Sequence, residues 1–314
     1  MERPIIFLFP GQGSQYLQMG KEIFAQSKVF RTEMEQLDQI VQKEEGYSLI
    51  NYLYDPAKKK NIPFCESIYS HPAIFMTGYA LAKTLMAQGI KPDLLYGVSL
   101  GEYTAMAISG QVDTGEIFRF ILKQPSIFKN SRLNGGMLSV FGNLPVFENE
   151  DHIEVAVING ANHIVLSGNS AQISNTEKYL KNYNKTYYRL PVEYGFHSSA
   201  IEDAKKPFLE HAGFIKRAYP KIPVLSCVNY SDDSFSMPEH CWNIIRNKMD
   251  FRQAVRQLEN KMPNALYVDL GFSGTMVNMA KTNFRKDSNS IVLAPITMFR
   301  TDLSKMNMRS LGDC

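Results

Sequence analysis

The sequence predicts an α/β fold, in which a parallel β-sheet covered by helices is interrupted by a small inserted α+β unit. Three observations point there. Short apolar runs alternate with amphipathic helical stretches in both outer thirds of the chain, the arrangement that βαβ crossovers need. The middle third instead packs four strand-like runs around one helical stretch. And one apolar run breaks into Gly-x-Ser-x-Gly before a helix-like stretch, a pattern that needs a strand in front and a helix behind.

Taken in order, Ile5–Phe9 reads as a buried strand, followed by the turn-rich Pro10-Gly11-Gln12-Gly13-Ser14. His71–Gln88 carries apolar residues at helical spacing, and Gly89 stops it. Leu94–Tyr96 is the next strand and Gly101–Ser109 the helix after it; Val224–Val228 and Ala265–Leu270 are two more short strands. In the middle third, Met137–Phe141, Ile153–Ile158, His163–Ser167 and Thr186–Leu190 read as strands and Ala171–Tyr183 as a helix. The expected division is a discontinuous large domain, residues 1–129 and 193–300, with a subdomain at 130–192. The polar, Met-rich tail 301–314 has no periodicity and is expected to be loose.

Composition sets limits on function. The chain has 314 residues, 44% of them hydrophobic and 21% charged, which suits a protein able to bury a full core. No run approaches the roughly 18 apolar residues of a membrane span. The N-terminal apolar stretch is short and preceded by Glu2, so it reads as a strand rather than a signal peptide. A net charge of +3 is too small to imply nucleic acid. Cys65, Cys227, Cys241 and Cys314 fall at no metal-ligand spacing, so no metal site is expected. They read as reduced thiols of a cytoplasmic protein.

Residues 94–101, Leu-Leu-Tyr-Gly-Val-Ser-Leu-Gly, carry the chemistry. Gly97 and Gly101 let backbone and helix crowd around Ser99, whose side chain is forced out of the turn. The first N–H groups of the following helix make a partly positive pole where an oxyanion could form. The alternative is a packing turn that carries a serine. Ser99 needs a base, and the chain has six histidines. His71, His152, His163, His211 and His240 sit in helices or polar loops without a special setting. His197 closes Pro-Val-Glu-Tyr-Gly-Phe-His at the exit of the inserted unit, facing the main domain. No aspartate stands out as a third member, which leaves a Ser99–His197 dyad oriented by backbone carbonyls.

Four motifs in order then carry a resemblance: Phe-Pro-Gly-Gln-Gly-Ser-Gln at 9–15, Gly-Val-Ser-Leu-Gly-Glu at 97–102, Gly-Phe-His-Ser at 195–198 and Asp-Leu-Gly-Phe-Ser-Gly-Thr at 269–275. From about residue 4 to 285 the chain resembles the malonyl-CoA:acyl carrier protein transacylase family, including its free-standing polyketide-pathway members of the acyl hydrolase type. The resemblance implies an α/β-hydrolase-like large domain with an inserted ferredoxin-like small domain and the active site in the cleft between them. It implies Ser99 as nucleophile, His197 as base, and the backbone N–H groups of Gln12 and Leu100 as the oxyanion hole. Phe196 and Asn159 would belong to the substrate pocket; Asn159 also reads as a polar turn residue between two strands. No cofactor is implied beyond the phosphopantetheine of the carrier protein, or coenzyme A, as the substrate arm.

Departures from that pattern are informative. Malonyl-loading members carry an arginine that grips the free carboxylate, and Gln124-Pro125 stands where that Arg-Gly pair belongs. Glutamine has neither charge nor guanidinium fork, and a buried carboxylate without a cation carries a penalty of several kcal/mol. Lys123 and Arg119 lie about 100° and 140° around the helix from it, so neither replaces the arginine; Arg132 is another candidate cation. Pro125 is expected to bias Gln124 away from helical geometry and reshape this pocket wall. Val98 replaces a histidine, Phe272 replaces a proline, and Asn143–His152 is too short for the first helix of a ferredoxin-like insert.

The readings that follow are removal of short, non-malonyl acyl groups from an acyl carrier protein, acyl transfer from coenzyme A to such a protein, and a non-catalytic scaffold. Ser99, His197 and Gln12 speak against the last. The expected partner is an acyl carrier protein met by a monomer, with no nucleic acid or membrane. Lys58-Lys59-Lys60, Lys205-Lys206, Lys216-Arg217 and Arg285-Lys286 are candidate docking clusters for an acidic partner, or ordinary solvated faces.

Overall fold

The computed structural model describes residues 3–142, 153–228 and 236–301. The chain opens with β1 (Ile5–Phe9), passes through α1 (Lys21–Gln26), α2 (Lys28–Glu45), α3 (Leu49–Leu53) and α4 (Ser67–Ala87), and returns as β2 (Leu94–Gly97). Helices α5 (Leu100–Ser109) and α6 (Thr114–Asn130) lead into the insert. It holds β3 (Gly136–Phe141), β4 (Glu154–Gly160), β5 (His163–Gly168), α7 (Ser170–Asn182) and β6 (Thr186–Arg189). Then come α8 (Lys205–Ala212), β7 (Val224–Leu225), α9 (Met237–Arg246), β8 (Met249–Asp250), α10 (Phe251–Lys261), β9 (Leu266–Asp269), α11 (Thr275–Asn283) and β10 (Ile291–Leu293).

The outer parts of the chain build a parallel sheet in the order β10-β9-β1-β2-β7. All five residues of β1 and all four of β2 are buried, which is why both read as unbroken apolar runs rather than alternating ones. Helix α4 is buried almost all round, the signature of a helix inside the core; it starts at Ser67, four residues before the expected His71. The insert forms the antiparallel order β6-β3-β5-β4, with α7 packed on β3 and β5. In chain order this is 4-1-3-2. The fold is thus an α/β large domain carrying a small ferredoxin-like domain.

Three expectations need correcting. The strand at Val224–Val228 ends at Leu225, because the Cys227 N–H is drawn to the Glu102 carboxylate at 2.7 Å instead of to the sheet. Helix α6 runs unbroken through Gln124 and Pro125. Its buried face, including Ile117, Phe120, Ile121 and Phe128, outweighs the conformational bias that proline puts on its predecessor. The small sheet also reaches beyond residues 130–192, since β8 adds a fifth strand parallel to β4 through Val157↔Met249 and Ile158↔Asp250. The stretch 143–152, thought too short for a helix, and the tail from residue 302 lie outside the described residues.

Asp269, at the end of β9, fastens α11 beside the site. Its carboxylate accepts N–H groups from Gly271 at 2.8 Å, Met276 at 3.0 Å and Val277 at 3.3 Å. Burial pushes its pKa up to about 6 against these three bonds.

Candidate active site

Ser99 occupies the sharp turn from β2 to α5 with φ +52° and ψ −123°, a region that side-chain-bearing residues rarely occupy. The turn holds because its flanks are glycine. A Cβ on Gly97 would overlap the backbone of Gly101 and Glu102, and one on Gly101 would overlap the carbonyl of Phe9. Although Ser99 is the N-cap of α5, its side chain does not cap the helix. Its Oγ lies instead 2.9 Å from Nε2 of His197.

His197 is buried and also held at positive φ, +59°. Its backbone N–H donates to the Ile245 carbonyl at 2.7 Å and its Nδ1 to the Asn247 carbonyl at 2.9 Å. The end of α9 therefore places the proton on Nδ1 and leaves Nε2 as the acceptor facing Ser99. Here a main-chain carbonyl stands where a triad would have a carboxylate. Burial lowers the pKa of His197 to about 4; the Asn247 bond opposes this, and nearby Arg246 adds to it.

At neutral pH the imidazole is thus free to accept a proton. Its kcat/KM limb is expected near pH 4 rather than near 6.5, as a pH profile with a reactive ester would show; a limb at 6.5 would mean a solvated base. The linked stability follows the sign of a depressed pKa. The unfolded chain takes up protons below about 6.5 that folded His197 and His71, also lowered to about 4 by burial, do not. Stability from these groups is full above 6.5 and falls as the pH drops toward 4.

Two N–H donors flank Ser99. Leu100 is the first residue of α5, so its N–H has no partner within the helix. Among the described residues the Gln12 N–H makes no hydrogen bond either. The Gln12 side chain lines the cavity, and its Nε2 is buried without a partner.

The cavity in front of Ser99 and His197 has a volume of about 280 Å³. Its large-domain wall is the loop from Pro10 to Ser14, with Phe196, Met276 and Met279. Its small-domain wall is the inner face of β3, β4 and β5, including Met137, Val157 and Val165, with Ser139, Asn159 and His163 as the polar members. No lysine or arginine of the described residues lines it.

Sequence reasoning placed Ser99, His197, Gln12, Asn159 and Phe196 here, and the structure brings all five to this cavity. The Leu100 side chain points into the core, leaving only its N–H for the site. Gln124 is different: it does not line the cavity. Its side chain is 1% exposed and lies against His71 and Tyr103. Neither its Nε2 nor either nitrogen of His71 reaches a hydrogen-bonding partner. The His71 and Phe196 ring centres are 6.0 Å apart, so this polar pair sits behind Phe196, which closes the cavity on that side. Lys123 and Arg119, excluded above on helical angle, pair with Glu45 at 2.7 Å and Glu44 at 3.4 Å.

Three histidines read as ordinary have definite settings. Besides His71, His240 meets the buried Glu102 at 2.9 Å. Burial alone would raise the Glu102 pKa, but His240 and the Cys227 N–H hold it below the usual value. This pair ties α5, directly behind Ser99, to α9, which carries the His197 anchors. His163 lines the cavity. A backbone carbonyl was expected to orient His197; that it belongs to Asn247 could not be read, because a main-chain acceptor leaves no signature in residue types.

Comparison with known proteins gives this geometry a family. The acyl transferase domain model matches residues 6–311. The chain belongs to the acyl transferase family. The polyketide biosynthesis acyltransferase homologue BaeD of Bacillus velezensis is 35% identical over 96% of this chain and 94% of its own length. The corresponding homologue PksD of Bacillus subtilis is 36% identical over 98% and 96%. In fold, this acyl transferase superimposes on a loading acyltransferase of the avermectin modular polyketide synthase with a TM-score of 0.84 at 21% identity, covering 98% of both chains. The malonyl CoA-acyl carrier protein transacylase of Coxiella burnetii gives 0.81 at 20% identity, covering 95% of both chains.

Proposed function

We propose that this acyl transferase relative is a hydrolase of acyl carrier protein thioesters, removing short uncharged acyl groups such as acetyl in polyketide biosynthesis. One observation carries the reading: no cation of the described residues lines the cavity around Ser99, so nothing there compensates a malonyl carboxylate. The polyketide setting is supported by the likeness to BaeD and PksD, both polyketide biosynthesis acyltransferase homologues.

In this reading Ser99 Oγ attacks the thioester carbonyl while His197 Nε2 takes its proton. The oxyanion develops between the N–H groups of Gln12 and Leu100, each such donor contributing roughly 3 kcal/mol to the barrier reduction. The carrier-protein thiolate leaves and takes the proton from His197, leaving the acyl group esterified to Ser99. Water then attacks that ester with His197 again as base, releasing the acid and free Ser99. The thioester itself supplies the activated acyl group, so the cycle calls for no cofactor or metal. The protein would act as a cytoplasmic monomer. No helix of the described residues is long and apolar enough to cross a membrane.

The family also supports a second reading, acyl transfer between coenzyme A and a carrier protein, since the same dyad serves a thiol in place of water. Of the basic residues considered for docking, Lys205 pairs with Glu202 at 3.6 Å and Arg285 with Asp287 at 2.7 Å. Intact-protein mass spectrometry separates the two readings. The expected result is loss of acetyl from acetyl-loaded carrier protein and no lasting malonyl adduct after mixing with malonyl-CoA. A persistent malonyl-enzyme that passes its group to the carrier protein would establish the transferase instead.

A further inference from the structure

The small-domain wall of the cavity holds a polar cluster that the chemistry above does not use. Ser139 on β3, Asn159 on β4 and His163 on β5 all line the cavity, on the sheet facing the dyad. Their arrangement is built rather than incidental. Asn159 falls at an irregularity of β4, where the register with β5 slips between Ile158 and Gly160. Such a bulge re-aims a side chain. The Asn159 carbonyl is fastened from the large domain by Asn283 Nδ2 at 2.6 Å. His163 is stacked on Phe141, ring centres 4.2 Å apart. Its Nε2 receives the Ser139 hydroxyl at 2.7 Å and faces Asn159 Nδ2 at 3.3 Å.

With two donors directed at it, Nε2 is the acceptor, so the His163 proton sits on Nδ1. Half-burial lowers the pKa of His163 and favours the same neutral form. Among the described residues no hydrogen bond is made by His163 Nδ1 or to Asn159 Oδ1. The cluster therefore offers one neutral donor and one neutral acceptor, in a wall otherwise made of Met, Val, Leu and Phe side chains. That pairing suits a secondary amide, which brings a carbonyl and an N–H of its own. It suits neither a carboxylate nor a phosphate, since the cavity holds no cation.

We propose that Ser139, Asn159 and His163 form a subsite that recognises an amide of the pantetheine arm carrying the thioester, with His163 Nδ1 donating to the amide carbonyl and Asn159 Oδ1 accepting its N–H. The inference rests on the carrier-protein thioester reading for its substrate. Because Phe196 closes the cavity toward His71 and Gln124, the open space along the small sheet is what remains for the long arm, and the acyl end stays short. Ser139 is a positioning residue here, since it acts by fixing the His163 tautomer.

The test uses His163→Phe, which keeps a ring against Phe141, and Ser139→Ala. Hydrolysis is measured with acetyl-pantetheine and with p-nitrophenyl acetate, which has no amide. Both variants are expected to raise KM for acetyl-pantetheine about five- to tenfold with kcat little changed, and to leave p-nitrophenyl acetate turnover at the wild-type rate. Equal losses with both esters, or no loss with acetyl-pantetheine, would overturn the subsite. Free pantetheine is also titrated calorimetrically into Ser99→Ala protein with and without His163→Phe. Weaker binding in the double variant supports the subsite even if the wild type turns over no carrier-protein thioester, and unchanged binding rejects it. Failure of carrier-protein turnover by the wild type counts against the hydrolase reading alone.

Discussion

Ser99→Ala is expected to lower turnover of an acetyl thioester by about 10⁴-fold or more, with the melting temperature within a few degrees of the wild type. The reasoning is local. Alanine keeps the Cβ and the same backbone demands as serine at φ +52°, and Ser99 Oγ does not cap α5, so the turn and helix lose nothing they need. What disappears is the atom 2.9 Å from His197 Nε2. Without it the substrate carbonyl has the two N–H donors but no nucleophile inside the cavity, and water must attack unaided. Intact mass spectrometry reads the same change directly, since the variant can form no acyl-enzyme. A variant retaining more than a few per cent of activity, or still carrying the acyl group, would move the nucleophile to another residue.

Gly101→Ala is expected to unfold the protein or lower its melting temperature by about 10 °C or more. At this position a methyl group has no room, because it would overlap the Phe9 carbonyl and approach the Pro10 carbonyl at 2.7 Å. Both belong to the end of β1 and the loop bearing Gln12, and both are backbone, so no side chain can swing aside. Relief requires α5 to lift off the sheet, which separates Leu100 from the β2 turn and loosens the Glu102–His240 tie to α9. The expected loss exceeds about 4 kcal/mol, the range of severe core lesions. Thermal melting of Gly101→Ala beside Gly142→Ala checks it, because a Cβ on Gly142 meets nothing within 4 Å, leaving only the strain of its positive φ. Comparable melting of the two would refute the steric argument.

These two residues also mark what the sequence could and could not reveal. The elbow was legible because its geometry demands particular residue types at fixed spacing: small at 97 and 101, nucleophilic at 99. The parallel sheet was legible because strands buried on both faces read as apolar runs. That a backbone carbonyl would orient the base was expected, but not which residue supplies it. Nothing in the residue type of Asn247 announces that its carbonyl orients His197, and a two-residue strand such as Met249–Asp250 is too short to show a period. Gln124 shows another limit. Its helix was expected to be disturbed at Pro125 and runs through it instead, and the Gln124 side chain ends buried against His71 and Tyr103 rather than in the cavity. Asn159 depended on a bulge, which shifts pairing without altering composition.

The six residues from Ile245 to Asp250 perform several tasks at once. The Ile245 carbonyl accepts the His197 backbone N–H and the Asn247 carbonyl its imidazole Nδ1–H, Met249 and Asp250 extend the small sheet beside Asn159, and Asp250 caps α10 through the Gln253 N–H at 2.8 Å. Base, sheet and helix therefore share one strap. If the two domains rocked apart with β8 still paired to β4, the strap would be dragged with the small domain and the imidazole pulled off the serine. A widely swinging jaw is thus incompatible with the Ser99–His197 contact.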